Sequence, residues 1–169
     1  KDSDGGAWRK RTQGTSWYNE TLSTATRGSR REFPAVAVIV AEAGKVTIYD
    51  GDDPAMPMWR EIAGAVRPFG TSLAEIIWLN SGNTSLAALN GKVVLGTDSS
   101  NSPANGGGAY IFDFLSDRAD QRYNSYGGNT GYGASPLSSV ISGTKYEHKL
   151  PAIVNGGVND VAMTVLPNA

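Results

Sequence analysis

Residues 36–41 form an unbroken apolar run rich in β-branched side chains. Such a run predicts a strand buried on both faces. Ala43 and Gly44 follow as a tight turn, and residues 45–49 (KVTIY) alternate polar and apolar with the period of a half-buried strand. Asp50, Gly51, Asp52, Asp53 and Pro54 close the segment with turn-forming residues. The pattern predicts a buried β-hairpin, and the other elements are read around it.

Upstream, residues 7–18 (AWRKRTQGTSWY) predict a short strand interrupted at Gly14, and residues 19–25 one helical turn. Residues 26–32 (TRGSRRE) read as a basic loop. Downstream, residues 56–62 predict a strand with Trp59 as its packing anchor. Residues 73–79 (LAEIIWL) fit a strand or two helical turns, because a short apolar run does not decide between them. Residues 85–89 form a compact apolar segment, Asn90-Gly91 signals a type I′ hairpin, and residues 92–96 and 109–115 predict further strands around a polar loop at 98–108. Residues 116–149 are polar and rich in Gly, Tyr and Ser, and read as a long loop. Residues 158–166 predict a last strand. The core expected from these patterns is Val38, Val40, Val46, Ile48, Val93, Leu95, Ile111, Val161 and Val165.

The pieces share a grammar: buried strand, turn, then a strand ending on an aromatic and an Asp. Tyr49-Asp50 matches Phe112-Asp113, and the segment from Ser85 resembles the one from Asp160. The fold class expected is all-β, with antiparallel propeller-like blades, about two and part of a third. Blade one takes the strands between residues 36 and 62, and blade two those between 85 and 115. A β-sandwich whose strands share the same grammar is the alternative. The organisation expected is an N-terminal arm and basic loop at 1–32, then a β-repeat domain at 33–169 carrying the long polar loop at 116–149. The absence of an initiator Met and the end of the chain beside a strand predict a fragment of a longer protein. Unpaired blade edges then predict a homodimer or higher oligomer, with Trp59 or Trp78 as anchors.

Composition narrows the function classes. The net charge of −1 over 169 residues gives no global attraction to nucleic acid or anionic membrane. No apolar run has the roughly 20 residues that cross a bilayer. The absence of cysteine excludes disulfides, thiol catalysis and Cys-ligated zinc within the chain. The 21 glycines, with frequent Asn, Ser and Thr between short β-branched runs, fit an all-β protein with long loops.

The chemistry-bearing residues fall into a few groups. Asp50, Asp52 and Asp53 crowd one turn and are the weak metal candidate, although they lack the alternating ligands and distal Glu of an EF-hand loop. His148 is the single histidine; no G-x-S-x-G elbow accompanies it, and it reads as a surface residue. Glu42, Glu61 and Glu75 hold no spacing that selects a glycosidase pair. Lys10, Arg11, Arg27, Arg30 and Arg31, with Trp8, Trp17 and Tyr18, offer phosphate contacts and stacking platforms. The nearby Glu20 and Glu32 favour arginines paired with acidic groups instead. The glycine-rich stretches lack the Lys-Ser or Lys-Thr of a P-loop. No catalytic residue and no cofactor is assigned. Tyr123, Tyr126 and Tyr132, with Asn129, set flat amphipathic rings among adaptable polar neighbours, the mixture of a binding loop suited to sugars.

Four stretches carry a family resemblance: TQGTSWYNE (12–20), TRGSRREFPAVAVIVAE (26–42), KVTIYDGDDP (45–54) and VNDVAMTVLPNA (158–169). They are similar to large proteins encoded by marine bacteriophages and found in marine environmental sequence. The resemblance covers most of the chain and weakens at 62–83 and 117–149. It implies propeller-like β repeats, often with a concanavalin-like lectin domain further on. It also implies a structural or adhesive role in the virion or its tail, with other virion proteins or a host-surface glycan as partners. It supplies no catalytic residues. A carbohydrate-binding module and a glycan-degrading tail enzyme are the competing expectations.

Overall fold

The computed structural model describes residues 7–19, 27–42, 45–63, 83–97, 108–122, 131–134 and 160–164. Within them the chain is all-β, as the alternation predicts. A three-stranded sheet holds β1 (Ala37–Glu42), β2 (Lys45–Asp50) and β3 (Met58–Ala63) in that order. A five-stranded sheet holds β4 (Asn83–Leu89), β5 (Lys92–Thr97), β6 (Gly108–Asp113), β7 (Arg118–Arg122) and β8 (Gly131–Ala134). The pairings of these strands are antiparallel and follow chain order. Two short helices, α1 (Ala7–Arg11) and α2 (Ser16–Asn19), precede the sheets.

The first sheet forms where the sequence predicts it, but β1 is not covered on both faces. Its residues alternate half-buried and exposed, with Val38 and Val40 each 38% exposed. The register explains this. Ile39 lies beside Ile48, and Ala41 beside Val46 and then Ile62, on the face that meets the core. Val38 lies beside Tyr49, and Val40 beside Thr47, on the other face. One side of the sheet faces the core, and the other is only partly covered, with Thr47 buried in β2 but Val38 and Val40 partly exposed in β1, so an apolar run that could serve two buried faces serves mainly one.

In β3 the register slips between Ile48 and Tyr49, which pair with Arg60 and Met58, and leaves Trp59 as an inserted residue. Such a bulge lets two consecutive side chains turn the same way. Trp59 and Arg60 are accordingly both buried. Trp59 is the packing anchor the sequence predicts; buried in the core, it is not placed to anchor the contact between copies that the sequence also suggests.

The second sheet starts from the Asn90-Gly91 hairpin, whose positive φ values (47° and 75°) are those of the expected type I′ turn. Leu86, Leu95 and Tyr110 line up on one face, as do Ala88, Val93, Phe112 and Ala119. Val93, Leu95, Tyr110, Phe112 and Ala119 are buried there. Ile111 sits on the opposite face and is only half-buried. The strands β7 and β8 fall within 116–149, where the sequence reads mostly as loop. β7 is Arg-Ala-Asp-Gln-Arg and β8 is Gly-Tyr-Gly-Ala, so neither shows an apolar alternation. Residues 160–164 form no strand. The Ser85 hydroxyl donates to Asp160 at 2.6 Å and accepts from the Val161 N–H at 3.0 Å, which brings together two segments expected to open separate repeats.

The short strand predicted over 7–18 is also corrected. The segment forms α1, a turn and α2, with the Thr12 hydroxyl donating to the Arg9 carbonyl at 2.6 Å and the Thr12 N–H to the same carbonyl. Local hydroxyl-to-backbone bonds of this kind compete with sheet pairing. Trp17 then enters the core fully buried, edge-on to Trp59 and Phe114 at 5.5 and 5.3 Å, while Phe33 meets the same two rings at 5.0 and 5.1 Å. This aromatic knot joins both sheets to residues from the first 33 of the chain. The helical turn expected at 19–25 falls, after Asn19, outside the described residues. So do the Ala43-Gly44 turn, the segment 73–79 with Trp78, and Val165.

Candidate functional site

The expected aspartate cluster is the β2–β3 turn, and the structure shows what holds it. Arg30 brings Nη1 to within 2.8 and 2.6 Å of the two Asp50 oxygens, and Nη2 to within 3.0 Å of Asp52. Asp52 accepts the backbone N–H groups of Ala35 and Val36 at 2.9 and 3.0 Å. Its own N–H donates to Asp50. Asp53 turns away and accepts the N–H of Ala55. Gly51 donates to the Val36 carbonyl at 2.8 Å, an approach so close that a Cβ there would meet the same oxygen at 2.8 Å.

The electrostatics follow. The hydrogen bond from Arg30 to Asp50 raises the guanidinium's pKa above its ordinary value, against a smaller lowering by burial. Desolvation pushes Asp52 up, but the N–H groups of Ala35 and Val36 and the Arg30 charge outweigh it and hold the carboxyl below its usual value. The carboxylates Asp50 and Asp52 therefore already have a cation, and that cation is Arg30. Among the described residues no three His, Cys, Asp or Glu side chains converge as a metal site.

The other candidates scatter. Tyr132 lies in β8 and pairs with Gln121 of β7. Tyr123, Tyr126, Asn129, His148 and Glu75 lie outside the described residues. Glu42 and Glu61 share Lys45, at 3.3 and 3.4 Å. Arg30 pairs with acidic groups as the sequence suggests, and Arg27 has a different setting. It is buried, its guanidinium lies 6.0 Å from the centre of the Trp17 ring, and it donates to the carbonyls of Tyr18 and Arg31. Trp17 is a core residue, not a stacking platform.

Two features had no signal in the sequence. The first is Asp117, held at φ 55°, which accepts the Ser16 N–H at 2.6 Å and the Ser16 hydroxyl at 2.7 Å. With the Trp17 indole N–H donating to the Phe114 carbonyl at 2.6 Å, it straps α2 onto the β6–β7 turn. A contact across 101 residues leaves no local pattern to read. The second is a cleft of about 180 Å³ between the two sheets. It is lined by Phe33, Pro34 and Val36 on one side and by Ala88, Leu89 and Asn90 on the other. β1 and β4 adjoin across it.

No protein-family model, no curated protein and no solved structure matches the chain. The geometry of the described residues is therefore the ground for a functional reading.

Proposed function

We propose that this chain is a structural or adhesive β-repeat module of a bacteriophage particle, associated with its tail, which acts through contact surfaces and not through a reaction. One observation carries the reading. Among the described residues, the charge clusters are used up in building the fold. Arg30 with Asp50 and Asp52 closes the β2–β3 turn, Lys92 with Asp113 ties β5 to β6, Arg118 pairs with Asp120 within β7, and Asp117 straps down α2. Two further features support it. Each sheet is a meander laid down in chain order, as in a propeller blade. The strands that adjoin between the sheets, β1 and β4, are the first strand of each. The resemblance of residues 12–20, 26–42, 45–54 and 158–169 to marine phage proteins supplies the particle.

The test is location. An antibody raised against the chain should label density-purified particles of a phage that encodes it, and mass spectrometry of those particles should recover its peptides. Recovery only from the lysate, with clean particles, would reject the virion assignment. A glycan array with the same protein separates an adhesive surface that reads sugars from one that contacts protein.

A further inference from the structure

We propose that β1 pairs edge to edge with β1 of a second copy of this chain, antiparallel about Ile39, to form a two-fold dimer. The inference deepens the reading of the chain as an assembly module by naming the surface and the partner, and it rests on that reading.

The argument begins with an open edge. Among the described residues β1 is an outer strand of its sheet, hydrogen-bonded to β2 alone. Gly51 donates to the Val36 carbonyl, so Val36, and by alternation Val38, Val40 and Glu42, turn their backbone groups toward β2. The N–H and C=O groups of Ala37, Ile39 and Ala41 therefore point out of the sheet. The second sheet approaches this region through Ala88, Leu89, Asn90 and Gly91, across the cleft, without joining the ladder. An unpaired edge is a template for another strand.

The sequence of that edge says which strand fits. Residues 37–41 read Ala-Val-Ile-Val-Ala, the same in both directions. Antiparallel pairing about Ile39 sets Ala37 against Ala41, Val38 against Val40, and Ile39 against its copy. Every inward residue meets an inward residue and every outward one an outward one, as the pleat demands. The outward-pointing groups of Ala37, Ile39 and Ala41 become the hydrogen-bonded pairs, about two bonds each. Val38 and Val40, both 38% exposed, become a four-valine ladder across the axis. No charge falls within the paired stretch.

The opposite edge of the same sheet is already closed. Arg27 bridges to Arg60, and the Gly28 N–H donates to the Trp59 carbonyl at 2.7 Å. With β3 covered, pairing through β1 closes on itself instead of adding copies along the sheet.

The chain has no cysteine, which makes a register-specific test available. Val38→Cys and Val40→Cys are prepared as separate full-length proteins and mixed. In the proposed register the thiol introduced at position 38 of one copy faces the thiol introduced at position 40 of the other, at about 4.5 Å between Cα atoms and within disulfide reach. Two copies of the same variant place their thiols diagonally, about 7–8 Å apart, where a bridge does not form. Mild oxidation should cross-link the mixture and neither variant alone. Light scattering of the unmodified chain at about 100 µM should give twice the monomer mass. Val40→Lys, which sets like charges near the axis at a solvent-facing position, should give a monomer with an unchanged circular dichroism spectrum. A monomeric parent chain, equal cross-linking in mixed and single samples, or a Val40→Lys variant that stays dimeric would each overturn the proposal. If Val40→Lys does not fold, the cysteine pair decides alone. A dimer in this register from a protein absent from virions would keep the interface and reject the particle assignment.

Discussion

The two sheets bury similar inner faces and finish their outer faces differently. On the second sheet, one outward row is Lys92, Asp113 and Arg118, and the next is Val94, Ile111 and Asp120. Lys92 bonds Asp113 at 2.8 Å and Arg118 bonds Asp120 at 2.6 Å. On the first sheet the corresponding rows are Val38, Tyr49 and Met58, then Val40, Thr47 and Glu61. Charge gathers at one end only, where Lys45 sits between Glu42 and Glu61. Charged outward positions are how natural sheets discourage further pairing. The second sheet carries them in β5, β6 and β7, while its outer strand β4, like β1, sets apolar residues (Leu89 and Ala87) in these rows. The difference leaves the second sheet a charged outer face and the first a mostly uncharged one, which the proposed β1 pairing would use.

The largest expected effect comes from breaking what the sheets share. Trp17 touches Trp59 from the first sheet and Phe114 from the second, and its indole N–H is held by the Phe114 carbonyl. Trp17→Ala should cost about 3–5 kcal/mol, a large part of the stability of a typical domain. Because the knot is common property, urea unfolding should stay a single transition, displaced to lower urea. Two separated transitions would show that the sheets are held independently.

The comparison sharpens at the turns that tie each sheet to the first part of the chain. Asp117 accepts two bonds from Ser16, and its loss frees the strap that delivers Trp17. Asp117→Ala should cost about 2 kcal/mol, in the range of hydrogen bonds to a charged group. Asp52 also accepts two backbone bonds, but its side chain is 25% exposed and its Arg30 partner 32%. Asp52→Ala should cost about 1 kcal/mol or less, because solvent screens the ion pair. Chemical denaturation of the two variants side by side gives the ordering; a reversed order would make the Arg30 turn, not the α2 strap, the firmer tie.

Acid should act on both sheets. Asp52 in the first and Asp113 in the second have pKa values lowered from 3.8 in the folded chain. For Asp113, desolvation raises the value, but the Lys92 hydrogen bond and those from Ser116 outweigh it. A carboxyl lowered on folding contributes stability that is complete above its unfolded value and is lost as pH falls through its folded value. Thermal midpoints should therefore be flat above about pH 5 and fall below about pH 4. Asp113→Asn and Asp52→Asn should each shallow that fall. A midpoint that rises on acidification would contradict the sign for both.

How much of this is legible in the sequence depends on distance along the chain. The hairpin β1–β2, the Asn90-Gly91 turn and strands β3 to β6 are readable because alternation and turn chemistry are local. Val46, Ile48, Val93 and Leu95 are buried as expected. Val38 and Val40 are not, because a strand does not record how many of its faces are covered. Aromatic content at residues 7–18 suggests a strand where α1 and α2 form. The bonds that decide are a threonine hydroxyl to a carbonyl three residues back and a carboxylate 101 residues away. β7 escapes because a strand with one apolar residue, Ala119, has no apolar period to show. The aspartate turn is visible as a cluster, but its cation is not, since Arg30 lies 20 residues from Asp50.

The smallest expected effect returns to the two sheets through their turns. The second sheet places Asn90, Gly91 and Asp117 at positive φ, residue types that tolerate the left-handed region. The first sheet places Met56 there, at φ 45° and 45% exposed, where its N–H donates to the Asp53 carbonyl at 2.8 Å. A left-handed backbone crowds Cβ of an ordinary residue against the following carbonyl, and a methionine side chain offers no local hydrogen bond in return. Met56→Asn keeps the backbone donor and suits the conformation, so it should raise stability by about 1 kcal/mol, read as a higher urea midpoint with an unchanged slope. If the variant is instead less stable, the Met56 side chain contributes more through its contacts than its backbone loses. Met56 would then join Val36, Val38 and Val40 as part of an apolar surface that the first sheet keeps and the second has replaced with charge.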